Sequence, residues 1–202
     1  MYETTVFQIN LGHRRAASCD LQLRTNEMAD FIALIQEPWM VRGKMVGLNS
    51  SHKKIVANCD NKTPARAAIY HHKDSRVAPH PAFTGRDVAA GVWNIDKPNL
   101  PQIMLVSIYW DGKSATLPEK LIGCLNWCRD NRLPIHIGGD FNAHSTLWGG
   151  RSDTWRGNLV NKLMFEYNLI LLNEGDVPTF FIAGKSSIIQ GGCRISGIWL
   201  QS

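Results

Sequence analysis

Between about residues 54 and 110 the sequence offers four consecutive β-like runs with no helical period between them: Lys54 to Asn58, Ala65 to His71, Val88 to Ile95 and Ile103 to Trp110. Neighbouring parallel strands need a long crossover connection, usually a helix. Strands that follow one another without one favour two packed sheets over a doubly wound parallel sheet. Further β-like runs are Thr5 to Asn10, Phe31 to Gln36, Pro134 to Gly138, Leu169 to Asn173 and Thr179 to Ala183. Several alternate in polarity, and turn-forming Gly, Pro, Asn or Asp stands at their ends. Helical spacing of apolar residues occurs in three places. Asp20 to Ala29 carries Leu21, Leu23 and Met28 near one face; Leu117 to Asp130 carries Leu121, Cys124, Leu125 and Cys128; Trp155 to Tyr167 groups Leu159, Leu163 and Met164, with Phe165 nearby. The expectation is an α/β domain of two sheets flanked by helices.

With 202 residues, 44% of them hydrophobic and 19% charged, the chain has the make-up of one globular domain with a well-buried core. No apolar run is long enough to cross a bilayer, and the first residues lack the basic head and apolar stretch of a signal peptide, so a soluble intracellular protein is expected. Cysteines 19, 59, 124, 128 and 193 are odd in number and have no framework spacing. Cys124 and Cys128 face the same way on a helix, but a zinc site needs two more ligands at suitable spacing, so buried reduced thiols are expected. The net charge of +5 permits a polyanionic partner, because Lys and Arg near phosphates release condensed counterions. It does not demand one, since the basic residues are scattered.

The ends of the strands carry the chemistry. Asn10 ends the first run, Glu37 follows Gln36, Tyr109 ends the run from Ile103, and Asp140 and Asn142 follow Pro134 to Gly139. Strand ends present side chains to solvent from a rigid scaffold. Singly, each residue has an ordinary reading as a turn former, helix cap, surface acid or core tyrosine. Brought to one edge, they suit hydrolysis of a phosphate ester. Mg²⁺ takes oxygen ligands, usually one or two carboxylates plus water and substrate phosphate. Glu37 would be its main ligand and Asn10 an assistant. Asp140 would orient or deprotonate the attacking water, while Asn142 and Tyr109 would contact phosphate oxygens.

The segment Gly138-Gly139-Asp140-Phe141-Asn142-Ala143-His144 resembles the Gly-Asp-Phe-Asn-x-His signature of the endonuclease/exonuclease/phosphatase superfamily. Ile35-Gln36-Glu37-Pro38-Trp39 is similar to its metal-binding Gln-Glu strand end, Gln8-Ile9-Asn10 to its opening strand, and Ser107-Ile108-Tyr109 to the strand bearing its tyrosine. Closer wording is shared with the apurinic-endonuclease-like endonuclease domain of insect-type non-LTR retrotransposons. It includes Gln8 to Ala17, Arg66-Ala67-Ala68-Ile69, Asn142 to Gly149, Pro178-Thr179-Phe180 and Ser186 to Ile189.

The resemblance implies a four-layered α/β sandwich of the DNase I-like kind, Mg²⁺ or Mn²⁺ as cofactor, and nicking of target DNA to prime reverse transcription. It implies metal contact for Glu37 and Asn10, and work on phosphate and water for Tyr109, Asp140 and Asn142. It gives His144 a supporting role in the loop, and offers Arg14, Arg15, Arg66 and Thr179 as DNA contacts. The site of action would be nuclear, and a reverse transcriptase domain of the parent element would be a partner outside this chain.

The pattern breaks after Ile189. Gln190 stands where the family has an aspartate, and none of the seven histidines follows residue 144, although the family's catalytic histidine would. By this reading residues 1–189 form the domain, incomplete at its C-terminal end, and residues 190–202 are a tail outside the pattern. Impaired cleavage and lowered stability are the expectations, with a catalytically dead nucleic-acid-binding remnant as the alternative. A phosphatase acting on a small substrate shares the chemistry but not the retrotransposon wording.

Overall fold

The computed structural model describes residues 4–48, 51–58, 60, 62–95 and 102–172 with their side chains, and the backbone of three further strands at 180–182, 185–187 and 194–200. In chain order the elements are β1 (Thr5–Asn10), α1 (Arg15–Asn26), β2 (Phe31–Gln36), β3 (Met40–Val41), β4 (Lys44–Met45), β5 (Lys53–Ala57), β6 (Ala67–His72), β7 (Val77–Pro79) and β8 (Val88–Trp93). They continue with β9 (Ile103–Tyr109), α2 (Glu119–Asp130), β10 (Ile135–Asp140), α3 (Trp155–Glu166), β11 (Leu169–Leu171), β12 (Phe180–Ile182), β13 (Lys185–Ser187) and β14 (Arg194–Leu200). One sheet has the order β1-β2-β6-β5 and the other β11-β14-β10-β9-β8-β7; β3-β4 and β12-β13 are small hairpins. Among the described residues, no helix is long and apolar enough to cross a membrane.

Strand β2 shows why two sheets form. All six of its residues are buried, and they divide between two cores. Phe31, Ala33 and Ile35 pack outward with Leu21 of α1 and Tyr70 of β6, while Ile32 and Leu34 pack inward with Ile69, Ala89, Ile103 and Leu105. Strand β9 repeats the arrangement from the other side: Met104, Val106 and Ile108 pack outward with Leu121, Cys124, Leu125 and Cys128 of α2 and with Val160 and Leu163 of α3. A strand covered on both faces reads as a continuous apolar run. The layers are therefore α1, sheet, sheet, then α2 with α3. At Gly138 the sheets approach so closely that a Cβ would lie 2.7 Å from Leu34 Cδ1. Cys124 and Cys128 are buried and free, and the hydrogen bond to Cys128, then burial, holds the Cys124 thiol far above its ordinary pKa.

Three local expectations need correction. Helix α1 begins at Arg15, ahead of the apolar period, and its inward face is Ser18, Leu21 and Thr25. Leu23 is 66% exposed, because two positions along a helix is more than half a turn from Leu21. Phe165 is 91% exposed, since the buried face of α3 is Arg156, Gly157, Val160 and Leu163. Beyond the residues that match the family pattern, β14 pairs antiparallel with β10 on one side and β11 on the other.

Candidate active site

Strands β1 and β2 run parallel with Asn10 opposite Gln36, and β9 and β10 run parallel with Tyr109 opposite Asp140. Both pairs end at the same edge of the sandwich, because Asn10 Nδ2 of one sheet donates to Asp140 Oδ2 of the other at 2.9 Å. One step below, a polar bridge ties the sheets together. The fully buried Gln36 donates from Nε2 to Ser107 Oγ at 2.9 Å, Ser107 Oγ donates to Ile35 O at 2.7 Å, and Gln8 donates to Gln36 Oε1. A buried amide left unpaired costs about 1–3 kcal/mol, so this network fixes the register in which the two strand pairs meet.

Glu37 leaves β2 in a left-handed conformation, φ 48°. That costs about 1–2 kcal/mol for a residue with a Cβ. Two backbone bonds hold it there: Glu37 N–H donates to Arg66 O at 2.8 Å, and Glu37 O accepts from His13 N–H at 2.8 Å. Its side chain is 22% exposed, with His13 Nε2 3.4 Å from Oε1. The Tyr109 phenol lies near the Glu37 carboxylate. Burial first, then the charges of Glu37 and Asp140, push its phenol up to about 12, against the opposing charge of Arg66. Tyr109 is therefore a hydrogen-bond donor throughout the neutral range. Asp140 accepts from Asn142 N–H at 3.0 Å through Oδ1, while its Oδ2 faces Asn10. Asn142 is also left-handed, φ 46°, and donates from Nδ2 to Trp110 O at 3.0 Å.

The other expected residues divide. His144 is held by its backbone: its N–H donates to Thr154 Oγ1 at 3.2 Å and its carbonyl accepts from Thr154 N–H at 3.0 Å. It lines a shallow pocket with Arg151, Ser152 and Thr154, away from the Glu37–Asp140 contacts. Arg14, the N-cap of α1, and Arg15, its first residue, are exposed, with the Arg15 guanidinium 5.6 Å above the Trp39 ring. Arg66 departs from its expected part as a free DNA contact. Its fork is committed to Asp87 at 2.6 and 2.8 Å and to Asp111 at 2.6 Å, and its side chain is only 14% exposed. Thr179 lies outside the described residues.

Three residues had no role assigned from sequence. His13 stands beside Glu37. Gln36 was quoted only as part of a motif. Arg156 is a buried cation: it donates to Trp110 O at 3.1 Å, Phe141 O at 3.0 Å and Ser114 O at 2.7 Å, with its guanidinium 3.4 Å from the Trp110 ring centre. Burial lowers its pKa, partly opposed by Asp111 and Asp140. The one sequence signal was its place in the first turn of α3, where the helix dipole disfavours a cation. Next to it, a Cβ on Gly157 would lie 1.9 Å from His144 O, so α3 seats directly on the loop after β10.

As a donor set, Glu37, Asp140 and the Asn10 amide supply oxygen only, which fits a hard divalent cation. Among the described residues no group of three or more His, Cys, Asp or Glu side chains is placed to cage an ion.

Comparison with known proteins agrees with this geometry. Residues 103–190 match a family described as endonuclease-reverse transcriptase. A 115 kDa protein of the type-1 retrotransposable element R1DM of Drosophila melanogaster is 26% identical over 182 residues; the match takes in 86% of this chain and 17% of that protein. The endonuclease domain of TRAS1, a telomere-specific non-LTR retrotransposon, superposes with a TM-score of 0.70 at 28% identity, covering 96% of this chain and 84% of that one. The 3'-5' exonuclease NExo of Neisseria meningitidis shares the fold alone, with a TM-score of 0.60 at 14% identity and coverage of 96% and 86%. In its strand-end residues, its fold and these relatives, the chain is similar to the endonuclease domains of non-LTR retrotransposons, and its second half matches the endonuclease-reverse transcriptase family.

Proposed function

We propose that this domain is a divalent-metal-dependent DNA endonuclease that nicks target DNA for insertion of its parent element. The observation that carries the reading is the Asn10–Asp140 hydrogen bond between sheets, which brings Glu37, Tyr109, Asp140 and Asn142 to one edge. Glu37, assisted by Asn10, would hold Mg²⁺ or Mn²⁺, which when bound polarises a phosphoryl oxygen and stabilises charge on the leaving oxygen. Asp140, steadied by two donors, orients the attacking water and accepts its proton. Tyr109 donates its phenolic hydrogen bond toward a phosphate oxygen, turning from the Glu37 carboxylate when substrate arrives. Asn142 offers its amide to the same group. Arg14 and Arg15, exposed beside Asn10, contact the DNA backbone. The reaction would take place on chromosomal DNA in the nucleus, followed by priming of the element's reverse transcriptase.

One observation favours a second reading, binding without efficient cleavage: Gln190 stands in the place of the family's aspartate. Plasmid nicking with purified protein and Mg²⁺ decides between them. The expected result is relaxed circles whose rate falls at least about 1000-fold in Glu37→Ala, as loss of a group stabilising transition-state charge costs orders of magnitude. Folded protein that binds DNA in a salt-dependent way but never nicks would replace the first reading by the second.

A further inference from the structure

Arg66 stands where the two sheets join. Its backbone carbonyl accepts from Glu37 N–H at 2.8 Å, at the end of β2. Its guanidinium grips Asp87 through two bonds, 2.6 Å from Nε and 2.8 Å from Nη2. The backbone carbonyl of Asp87 in turn accepts from Tyr109 N–H at 2.9 Å, at the end of β9. One ion pair thus joins the backbone anchor of Glu37 in the first sheet to that of Tyr109 in the second. A third bond from Nη1 reaches Asp111 at 2.6 Å, two residues past Tyr109, and the guanidinium lies 4.9 Å from the centre of the Tyr109 ring.

We propose that Arg66 is a positioning residue, which through Asp87 and Asp111 sets the Tyr109 hydroxyl against the Glu37 carboxylate. This rests on the nuclease reading above. A planar fork is required, because three bonds in fixed directions must reach two carboxylates while a flat face covers a ring. A lysine has the charge but a single point of contact. Arg66 acts on the site through its neighbours, and its three side-chain hydrogen bonds end on carboxylates of the protein rather than on phosphate.

Arg66→Lys, Arg66→Met and Asp87→Asn separate this role from a DNA contact and from general stabilisation. Steady-state nicking is followed with DNA affinity measured against salt, together with amide hydrogen exchange of the metal-free protein. The expected result is a fall in kcat of about 10- to 100-fold in all three variants, the scale of a displacement near 1 Å at a reacting group. DNA affinity and its salt slope stay unchanged. In the same variants the amides of Glu37 and Tyr109 lose protection, while those of Ile137 and Val106 keep theirs. A weakened affinity with a salt slope smaller by about one, and unaltered exchange at Glu37 and Tyr109, would overturn the proposal in favour of a phosphate contact. Protection lost evenly across both sheets would also overturn it, showing that the pair holds the whole fold. If the parent protein never nicks, the nuclease reading fails by itself, and exchange at Glu37 and Tyr109 still decides whether Arg66 anchors both strand ends.

Discussion

Two pairs of arginines around the site, Arg14 with Arg15 and Arg66 with Arg156, do opposite work. The first pair is exposed at the start of α1, where one guanidinium lies over the ring of Trp39 and both remain open to a polyanion. The second pair is turned inward onto successive aromatic residues: Arg66 over Tyr109 and Arg156 over Trp110. Arg66 is neutralised by two aspartates, whereas the bonds that receive Arg156 end on backbone carbonyls of the loops after β9 and β10. A basic residue beside a phosphate-processing site is thus not a phosphate contact by virtue of its charge. Its partners decide. Where carboxylates or carbonyls already take its hydrogen bonds, it shapes the site; where none do, it is free for substrate.

The contrast is broken most directly at Arg156. Arg156→Met keeps the aliphatic stem but removes the donors to Phe141 O, Ser114 O and Trp110 O, of which Trp110 O retains its bond from Asn142 Nδ2. Phe141 O left unpaired costs about 1–3 kcal/mol and the desolvated stack on Trp110 contributes about 2 kcal/mol, so a loss of about 3 kcal/mol is expected. Urea denaturation measures it. A loss below about 1 kcal/mol would mean that these carbonyls find water readily, and that Arg156 belongs with the rim rather than the interior.

How much of this was legible in the sequence follows from the range of the interactions. Strand β2 appears in the sequence with the boundaries it has in the structure, because burial on both faces leaves an unbroken apolar run from Phe31 to Ile35, closed by Gln36. Glu37, Tyr109 and Asp140 were legible because each closes such a run. The short edge strand β7 was not, since its three residues hold no alternation and include Pro79. Nor were the roles of the inward arginines. Arg156 meets Trp110 46 positions away, and Arg66 meets Asp111 45 positions away. Periodicity reports which face of an element is buried; it says nothing about which distant carbonyl or carboxylate arrives there. Arg66 therefore read like Arg14, and only the fold separates them.

A buried base at His136 sharpens the comparison by taking the other course. Arg156 enters the interior as a donor to carbonyls, whereas burial lowers the His136 pKa from 6.5 to about 4 and keeps its imidazole neutral. Because the folded value lies below the unfolded one, its stability contribution is fully present above pH 6.5. It is lost as pH falls toward 4, where the unfolded chain binds the proton first. The slope is at most about 1.4 kcal/mol per pH unit. Thermal melts at pH 7.5, 6 and 5 should show this decline, and His136→Gln should flatten it. An acid limb unchanged in that variant would assign the titration elsewhere.

The smallest effect on stability, and the sharpest on DNA, is expected at the rim. Arg14→Ala and Arg15→Ala remove exposed side chains, so folding free energy should stay within about 0.5 kcal/mol of the parent. Each loss of a phosphate contact should lower DNA affinity at every sequence alike and reduce the salt slope by about one. The change at Arg15 also bares the face of Trp39, two residues beyond Glu37, an exposed contact whose loss costs folding no more than about 0.5 kcal/mol. Anisotropy titrations over a series of salt concentrations, run above pH 6.5 so that His136 stays neutral, measure both quantities. Matching slopes for Arg14→Ala, Arg15→Ala and Arg66→Met would erase the distinction between rim and interior. A reduced slope at the first two alone would show that exposure and committed partners, rather than residue type, sort the arginines around this site.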